Sequence, residues 1–412
     1  MVGPGRDAGS RGRVRVAAGW RARKGARMSI WKRLFRRELK RLLTDRRIAV
    51  IMLAGPFFYA FLFGGVYWQG RVREIPIVIV DQDHSEMSRD LSRALLASEN
   101  LSLAFFGAST ADFFEATKRG RAYACVVIPK DFQRDILRGR QGRVAVLLDG
   151  SNILIGNVLT RSISAVIAAY RTEARARRLM AGGVSRARAA VSAAPIQAVV
   201  RPLFNPASHY GYFILAGLII VALQQVIRMG AAISLSLDAG SAARAELARI
   251  GGHPMTLLTA KVAAAAALML PAAFVAIRLP FDLFGSPFRG NWLLAFAILT
   301  VFVIVQILVG YGVSGICRSA LLSLHALLLF SVPAFILSGF TWPSYAMPGW
   351  LKTLSWLIPL THVTDAFRKI ALMGAGAQSL WPQLAVLIAW LPLSVLWGYW
   401  GLKRQTALHH AS

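Results

Sequence analysis

The chain has 412 residues, of which 56% are hydrophobic and 16% charged, with a mean hydropathy of +0.51, more apolar surface than a soluble fold of this length can hide. Two cysteines exclude a disulfide scaffold or a thiolate zinc site, and the lack of any G-x-x-x-x-G-K-[ST] stretch excludes a Walker-type phosphate cradle. The net charge of +29 is uneven, residues 1–47 holding 16 Lys/Arg against 3 Asp/Glu, so it marks a cytoplasmic terminus ahead of the first apolar span rather than a nucleic-acid surface.

Residues 1–28, rich in Gly, Arg and Ala with no apolar run, read as a basic disordered leader or a start-site artefact, since Met28-Ser29-Ile30-Trp31 is a more natural beginning. In residues 29–47, Ile30, Trp31, Leu34, Phe35, Leu39, Leu42 and Leu43 fall near one helical face with basic residues between them. That pattern predicts a cytoplasmic helix lying in the membrane interface, with a solvated basic arm as the alternative. A bilayer core of about 30 Å needs about 20 apolar residues per helix, and six segments meet or approach that length: Ile48 to Trp68, Tyr212 to Leu237, Val262 to Phe281, Trp292 to Ile316, Ala320 to Trp342 and Leu380 to Leu402. An even count returns the chain to its starting side, and Lys403 and Arg404 in the tail 403–412 agree with cytoplasmic placement of both ends. Pro56, Pro271, Pro333 and Pro382 allow kinks within spans. Cys125 falls outside and Cys317 at the cytoplasmic end of the fourth span, too far apart to pair.

Residues 69–210, between the first and second spans, are long enough for an extracytoplasmic domain. Ile75 to Val80, Leu101 to Phe106, Tyr123 to Ile128 and Val144 to Leu148 read as strands; Ser85 to Ala97, Thr110 to Arg119 and Asp131 to Arg138 read as helices, the last two stopped by Gly120 and Gly139. The alternation predicts a small α/β layer. Two acidic turns, Asp81-Gln82-Asp83-His84-Ser85 and Asp149-Gly150-Ser151-Asn152, allow either a divalent-cation or phospho-sugar site or simple helix N-caps at Asp83 or Ser85 and at Ser151 or Asn152. With no further ligand nearby, caps are preferred, and no catalytic residue, cofactor or metal is assigned. Asn152 to Met180 is a long helical pattern; Arg161 inside it argues against a seventh span and for Leu159, Ile163, Val166 and Ile167 packing on the sheet. Its basic continuation from Arg171 to Arg188 reads as a solvated helix pair or stalk with weak attraction to anionic membrane lipid.

Residues 211–402 hold the other five spans. Between the second and third, Ala242 to Ile250 forms a short helical pattern. Between the fifth and sixth, Trp350, Leu351, Leu354, Leu357 and Ile358 make one apolar stripe and Val363, Phe367 and Ile370 another, so segment 343–373 is expected to dip into the outer leaflet as re-entrant or interfacial helices.

Several motifs here are familiar. Leu337-Ser338-Gly339-Phe340-Thr341-Trp342-Pro343, Met347-Pro348-Gly349-Trp350, Pro359-Leu360-Thr361-His362 and Arg368 resemble the fifth-span signature of ATP-binding cassette (ABC) type-2 permeases. Val78-Ile79-Val80-Asp81-Gln82-Asp83-His84-Ser85 with Ser88-Arg89, Ile128-Pro129-Lys130-Asp131-Phe132, Leu148-Asp149-Gly150-Ser151-Asn152 and Phe204-Asn205-Pro206 resemble the large extracytoplasmic domain of its drug-efflux branch. The matches run in order from Trp31 to Arg404. Two departures stand out: loop 238–261 lacks the family's Glu-rich and Gly-Thr pattern, and Ala216-Gly217 replaces Pro-Gly.

The resemblance implies an α-helical polytopic membrane protein of six transmembrane helices with an inserted α/β extracytoplasmic domain, acting in the bacterial inner membrane as the permease of an exporter. It implies a homodimer or heterodimer of permeases on a separate ATP-binding subunit, with a periplasmic membrane-fusion protein as a further partner. Arg244, Glu246, Leu247, Arg249 and Ile250 are then the expected contacts to the ATPase, Leu247 and Ile250 seating in its groove, with an ordinary solvated loop helix as the alternative. Gly339, Phe340, Pro343, Pro348, Trp350, Pro359 and Arg368 are the expected exit-side segment. Phe, Trp and Leu along the pathway favour a hydrophobic or amphipathic cargo. An ion-coupled carrier would want ionisable groups near midplane, where the chain offers chiefly Gln224, Gln225, Gln306 and His325, with Arg228 nearer the inner face and no carboxylate. His325 is read as an interhelical hydrogen-bonder. A receptor or anchoring protein that displays the outer domain is the remaining rival.

Overall fold

The computed structural model describes residues 29–68, 70, 72–193, 203–206, 209–251, 253–317 and 319–407. The leader 1–28, Arg318 and the tail beyond 407 lie outside them. The chain divides into two units, Arg71–Pro202 and the remainder.

The first unit is an α/β layer. Its sheet has the order β2-β1-β3-β4, with β1 (Ile75–Asp81) parallel to β2 (Leu101–Phe106) and β3 (Ala124–Ile128), and β4 (Ala145–Leu148) antiparallel to β3. The central strand reads Ile-Pro-Ile-Val-Ile-Val without polar alternation because helices cover both faces. On one face Ile77, Ile79, Val126 and Ile128 pack with Leu91 and Leu95 of α3 (Glu86–Leu96), Phe132 of α5 (Phe132–Leu137), and Leu159 and Ile163 of α6 (Ile153–Ala181). On the other, Val78, Val80 and Cys125 pack with Phe113 and Ala116 of α4 (Thr110–Lys118). Expected strand and helix limits hold to within a residue or two. Gly120 (φ 67°) and Gly139 (φ 80°) take the left-handed conformation that ends α4 and α5. The basic continuation of α6 ends as a short helix, α7 (Arg186–Ala193).

In the second unit, residues 29–44 form α1, and α2 (Arg46–Val66) follows, capped by the Asp45 carboxylate and containing a π-helical turn at Val50–Ala54. The bundle continues with α8 (Tyr210–Leu237), α9 (Ser241–Ile250), α10 (Pro254–Leu283), α11 (Trp292–Ile316), α12 (Ala320–Leu337), α13 (Gly349–Trp356), α14 (Pro359–Met373) and α15 (Trp381–Ala407). Among the described residues, seven helices are long and apolar enough to cross a membrane: the six expected positions and α6. The third expected span is part of a longer helix, α10, and its interior prolines are Pro271 and Pro280; α15 carries Pro392 inside, while Pro382 sits in its first turn.

Three expectations need correction. The inner face of α1 does not simply rest on lipid: Leu34, Glu38 and Leu42 are buried, while Leu43 is exposed. Of the two alternatives for α14, the interfacial one is corrected, since Leu360, Val363, Phe367 and Ile370 belong to the bundle core, whereas α13 presents its stripe outward through Trp350 and Leu354, with Leu357 just past its end. His325 makes its hydrogen bond within its own helix, Nδ1 to the Leu321 carbonyl at 2.8 Å, because its side chain lies on the exposed side of α12.

Helices α11 and α15 approach so closely that glycine is required. A Cβ on Gly401 would collide with the Tyr311 carbonyl oxygen, and one on Gly312 would lie 2.7 Å from the Trp397 ring. Small residues let backbones meet where no hydrophobic effect drives helices together.

Candidate functional site

At one end of the bundle, six charges from four helices close on one another. Lys261, in the second turn of α10, is fully buried; its ammonium donates to Glu38 Oε1 of α1 at 2.7 Å, to Asp238 Oδ2 at the end of α8 at 2.7 Å and to Ser234 Oγ at 3.2 Å. Its three donors are thus all used. Asp238 also accepts from Arg37 Nη2 at 3.1 Å and from Arg41 Nη1, and Ser234 donates to Glu38. Arg37 reaches further, its Nε donating to Glu246 Oε2 of α9 at 2.8 Å. Three carboxylates therefore meet three cations, and the cluster is neutral. The Lys261 ammonium also lies 5.8 Å from the centroid of the buried Tyr311 ring of α11. Burial alone would raise the Asp238 carboxyl, but Lys261, Arg41 and Arg37 outweigh it and hold it below the usual carboxylate range.

The basic pattern of residues 29–47 hides this cluster from sequence reading, since Arg37 and Arg41 blend into it. One signal was present: Glu38 lies four residues from both Leu34 and Leu42, on the apolar face of α1, where an ionised carboxylate needs a buried partner.

Helix α9 joins this cluster to the surface. Leu247 and Ile250 are half-buried, as is Arg244, whereas Ala242, Ala245, Glu246 and Arg249 form the outward face. Leu247 and Ile250 thus remain partly open, and the fully exposed face beside them is small and charged. Gly251 stops the helix at φ 71° and ψ −179°, a conformation open essentially to glycine.

The expected exit-side residues gather only in part. Gly339 (φ 76°), Phe340 and Arg368 line a cavity of about 330 Å³, while Pro343, Pro348 and Trp350 are on the surface and Pro359 begins α14. Phe340 stacks on Phe213 at 5.1 Å and occupies the space a side chain at Gly217 would fill, which accounts for the glycine of the Ala216-Gly217 pair. Deeper in the bundle, Arg228 donates from Nε to Gln306 Oε1, both buried, and Ser331 donates to Gln225.

The acidic turns act as caps. Ser85 Oγ accepts the Ser88 N–H at 3.1 Å, and Asn152 Oδ1 accepts those of Leu154 at 3.0 Å and Ile155 at 3.3 Å. Asp81 accepts the N–H groups of Asp83 and His84, each at 3.0 Å, and Asp149 that of Ser151 at 2.9 Å. Asp81 Oδ2 also accepts from the Ser88 hydroxyl at 2.7 Å, and among the described residues no cluster of three metal-ligating side chains forms.

Known proteins give the same architecture a family. The chain is 24% identical over 363 residues to a probable multidrug ABC transporter permease, YbhR, of Escherichia coli K12, covering 86% of this chain and 94% of the relative. It is 23% identical over 365 residues to the inner membrane transport permease YhhJ of the same organism, covering 86% and 91%. It is 21% identical over 360 residues to a second probable multidrug ABC transporter permease, YbhS, covering 84% and 89%. The family model for ABC-2 family transporter proteins matches residues 46–400, and with its several apolar helices this multi-pass membrane chain belongs to that family, as an ABC-2 type permease.

Proposed function

We propose that the chain is the permease subunit of an ABC exporter that moves hydrophobic or amphipathic compounds out of a bacterial cell, powered by a separate ATP-binding subunit that α9 contacts. The observation that carries this reading is the neutral ion cluster, whose buried core joins α1, α8 and α10 and whose exposed Arg37–Glu246 pair reaches α9. A push on an exposed helix is useful only if that helix is attached to the elements lining the pathway. The relatives named as multidrug permeases support the cargo class.

In this reading the cluster lies at the cytoplasmic side, in keeping with the Lys/Arg excess of residues 29–47 and with Lys403 and Arg404. Both ends are then cytoplasmic and the Arg71–Pro202 unit extracytoplasmic. Helix α6 belongs to that unit rather than to the membrane, because its Leu159 and Ile163 are already spent on the sheet, which leaves six crossings. Two permeases, alike or different, enclose the pathway, and the outer unit is the surface open to a membrane-fusion protein. A purely ion-driven carrier is disfavoured, since away from the cluster around Lys261 the charge buried within the spans, among the described residues, is Arg228, held by the neutral Gln306.

The test is co-purification in mild detergent with the cognate ATPase. Ala245→Trp and Arg249→Glu on the outward face of α9 are expected to lower both association and turnover, with the permease itself folded. Unchanged association and turnover in both variants would remove α9 from the interface.

A further inference from the structure

The other end of the bundle holds a polar cavity with no assigned role. Gly217, packed beneath Phe340, and Asp238 of the ion cluster are 21 residues apart along and just past α8, about 30 Å at 1.5 Å per residue. That is the thickness of the hydrocarbon core. The cavity of about 330 Å³ is walled by Ser338, Gly339 and Phe340, just past the end of α12, and by Pro382 and Gln383 at the start of α15. The ends of two membrane-length helices thus put it at the depth of lipid headgroups.

Its chemistry is cationic. Asp365 accepts from Arg368 Nη2 at 2.8 Å and Gln383 Nε2 at 2.7 Å, and pairs with Lys369 Nζ at 2.7 Å. Lys352 also lines the cavity and, among the described residues, forms no ion pair. Three cations therefore face one carboxylate. Thr361 Oγ1, Arg368 Nε and Gln383 Oε1 in the walls are buried without hydrogen-bond partners, which is costly unless something polar enters. Around the cavity, Trp342, Trp350, Trp356 and Trp381 are all more than half exposed, the position that amphipathic rings take at the membrane–water boundary. Leu354 and Leu357 of α13 add exposed apolar surface beside it.

We propose that this cavity binds the phosphate of an anionic membrane lipid, with Lys352 as the entry cation, Arg368 and Lys369 on the inner wall, and the acyl chains lying along the exposed faces of α12 and α13. A phosphodiester supplies the acceptors that Thr361 and the cations lack, and its negative charge balances the excess beside Asp365. The assignment rests on membrane insertion and not on contact with an ATPase, so it is measured on the permease alone, and failure of one leaves the other standing.

The experiment is native mass spectrometry of the full chain released from detergent containing phosphatidylglycerol or phosphatidylcholine with matched acyl chains. Selective retention of one phosphatidylglycerol per chain is expected, reduced about fivefold by Lys352→Gln and about thirtyfold by Lys352→Glu, as the loss or reversal of one interfacial cation predicts. Lys352→Arg is expected to restore it. Lys352 is exposed, so these variants keep the fold, and an unchanged melting profile checks this. Equal retention of both lipids, or full retention by Lys352→Glu, would overturn the proposal. Retention that survives millimolar inorganic phosphate supports a lipid ligand; displacement by phosphate would overturn it in favour of the free ion.

Discussion

Replacing Lys261 by Met keeps the bulk of the side chain and removes one charge from a cluster that is neutral and, at Lys261, Glu38 and Asp238, at most 1% exposed. The two carboxylates do not suffer equally. Asp238 keeps Arg37 and Arg41, whereas Glu38 keeps only the Ser234 hydroxyl and an Arg37 guanidinium 3.8 Å away, its Oε2 already lacking a hydrogen bond. An uncompensated buried charge of this kind costs about 3–5 kcal/mol. Lys261→Met should therefore lose that much unfolding free energy, measured by steric trapping in bicelles at neutral pH. Glu38→Gln in the same chain removes the orphaned charge and should recover about 0.5–3 kcal/mol as a coupling term in the double-mutant cycle. A Lys261→Met variant within about 1 kcal/mol of the parent, the value of an exposed pair, would refute a buried and mutually dependent cluster.

Further outcomes follow from the same coordinates. Gly401→Ala drives a Cβ into the Tyr311 carbonyl, which cannot yield unless α11 and α15 separate, so a loss of about 1–3 kcal/mol is expected in thermal unfolding. Burial pushes the Cys125 thiol up to about 11, and its side chain is fully enclosed, so Ellman's reagent should reach it at pH 8 only after denaturation. Because Lys261, Arg41 and Arg37 hold the folded-state Asp238 carboxyl below its ordinary value of about 3.9, its contribution to stability is present above that value and is lost as pH falls below it. Unfolding free energy followed by acid titration should accordingly stay level between neutrality and about pH 4 on this group's account.

The parts of the molecule that announced themselves in the sequence are those fixed by local pattern. Ile75 to Val80 is short and β-branched and could be little but a strand, and the spans are recognisable because the bilayer imposes a length. The cluster is different in kind. Glu38 and Lys261 are 223 residues apart, and nothing in the periodicity of either segment names the other. What can be read locally is the conflict, an acidic residue on an apolar face, and not its resolution. Sheet order failed to show for the same reason, since both neighbours of β1 come from later in the chain.

In the proposed reading, how α9 would act on the bundle is decided by magnitudes. Glu246 is 54% exposed, and a surface pair of that kind contributes about 0–1 kcal/mol, too little to drive rearrangement of packed helices. The covalent path is stiffer. Only Asp238, Ala239 and Gly240 separate α8 from α9, and the chain from Gly251 to His253 leads directly into α10, while Lys261 clamps Asp238 at 2.7 Å. In the proposed reading α8, α9 and α10 are expected to move at this end together, with displacement taken up by α1 and the π-helical turn at Val50–Ala54, where the regular hydrogen-bond ladder is already interrupted. Spin labels at the exposed residues Ala245 and Met255 should keep a constant separation between ATP-bound and nucleotide-free complexes, whereas Ala245 to Leu43 should change. Equal changes in both distances would show that the Lys261 clamp does not hold during turnover, and α9 would then have to work through Arg37 alone.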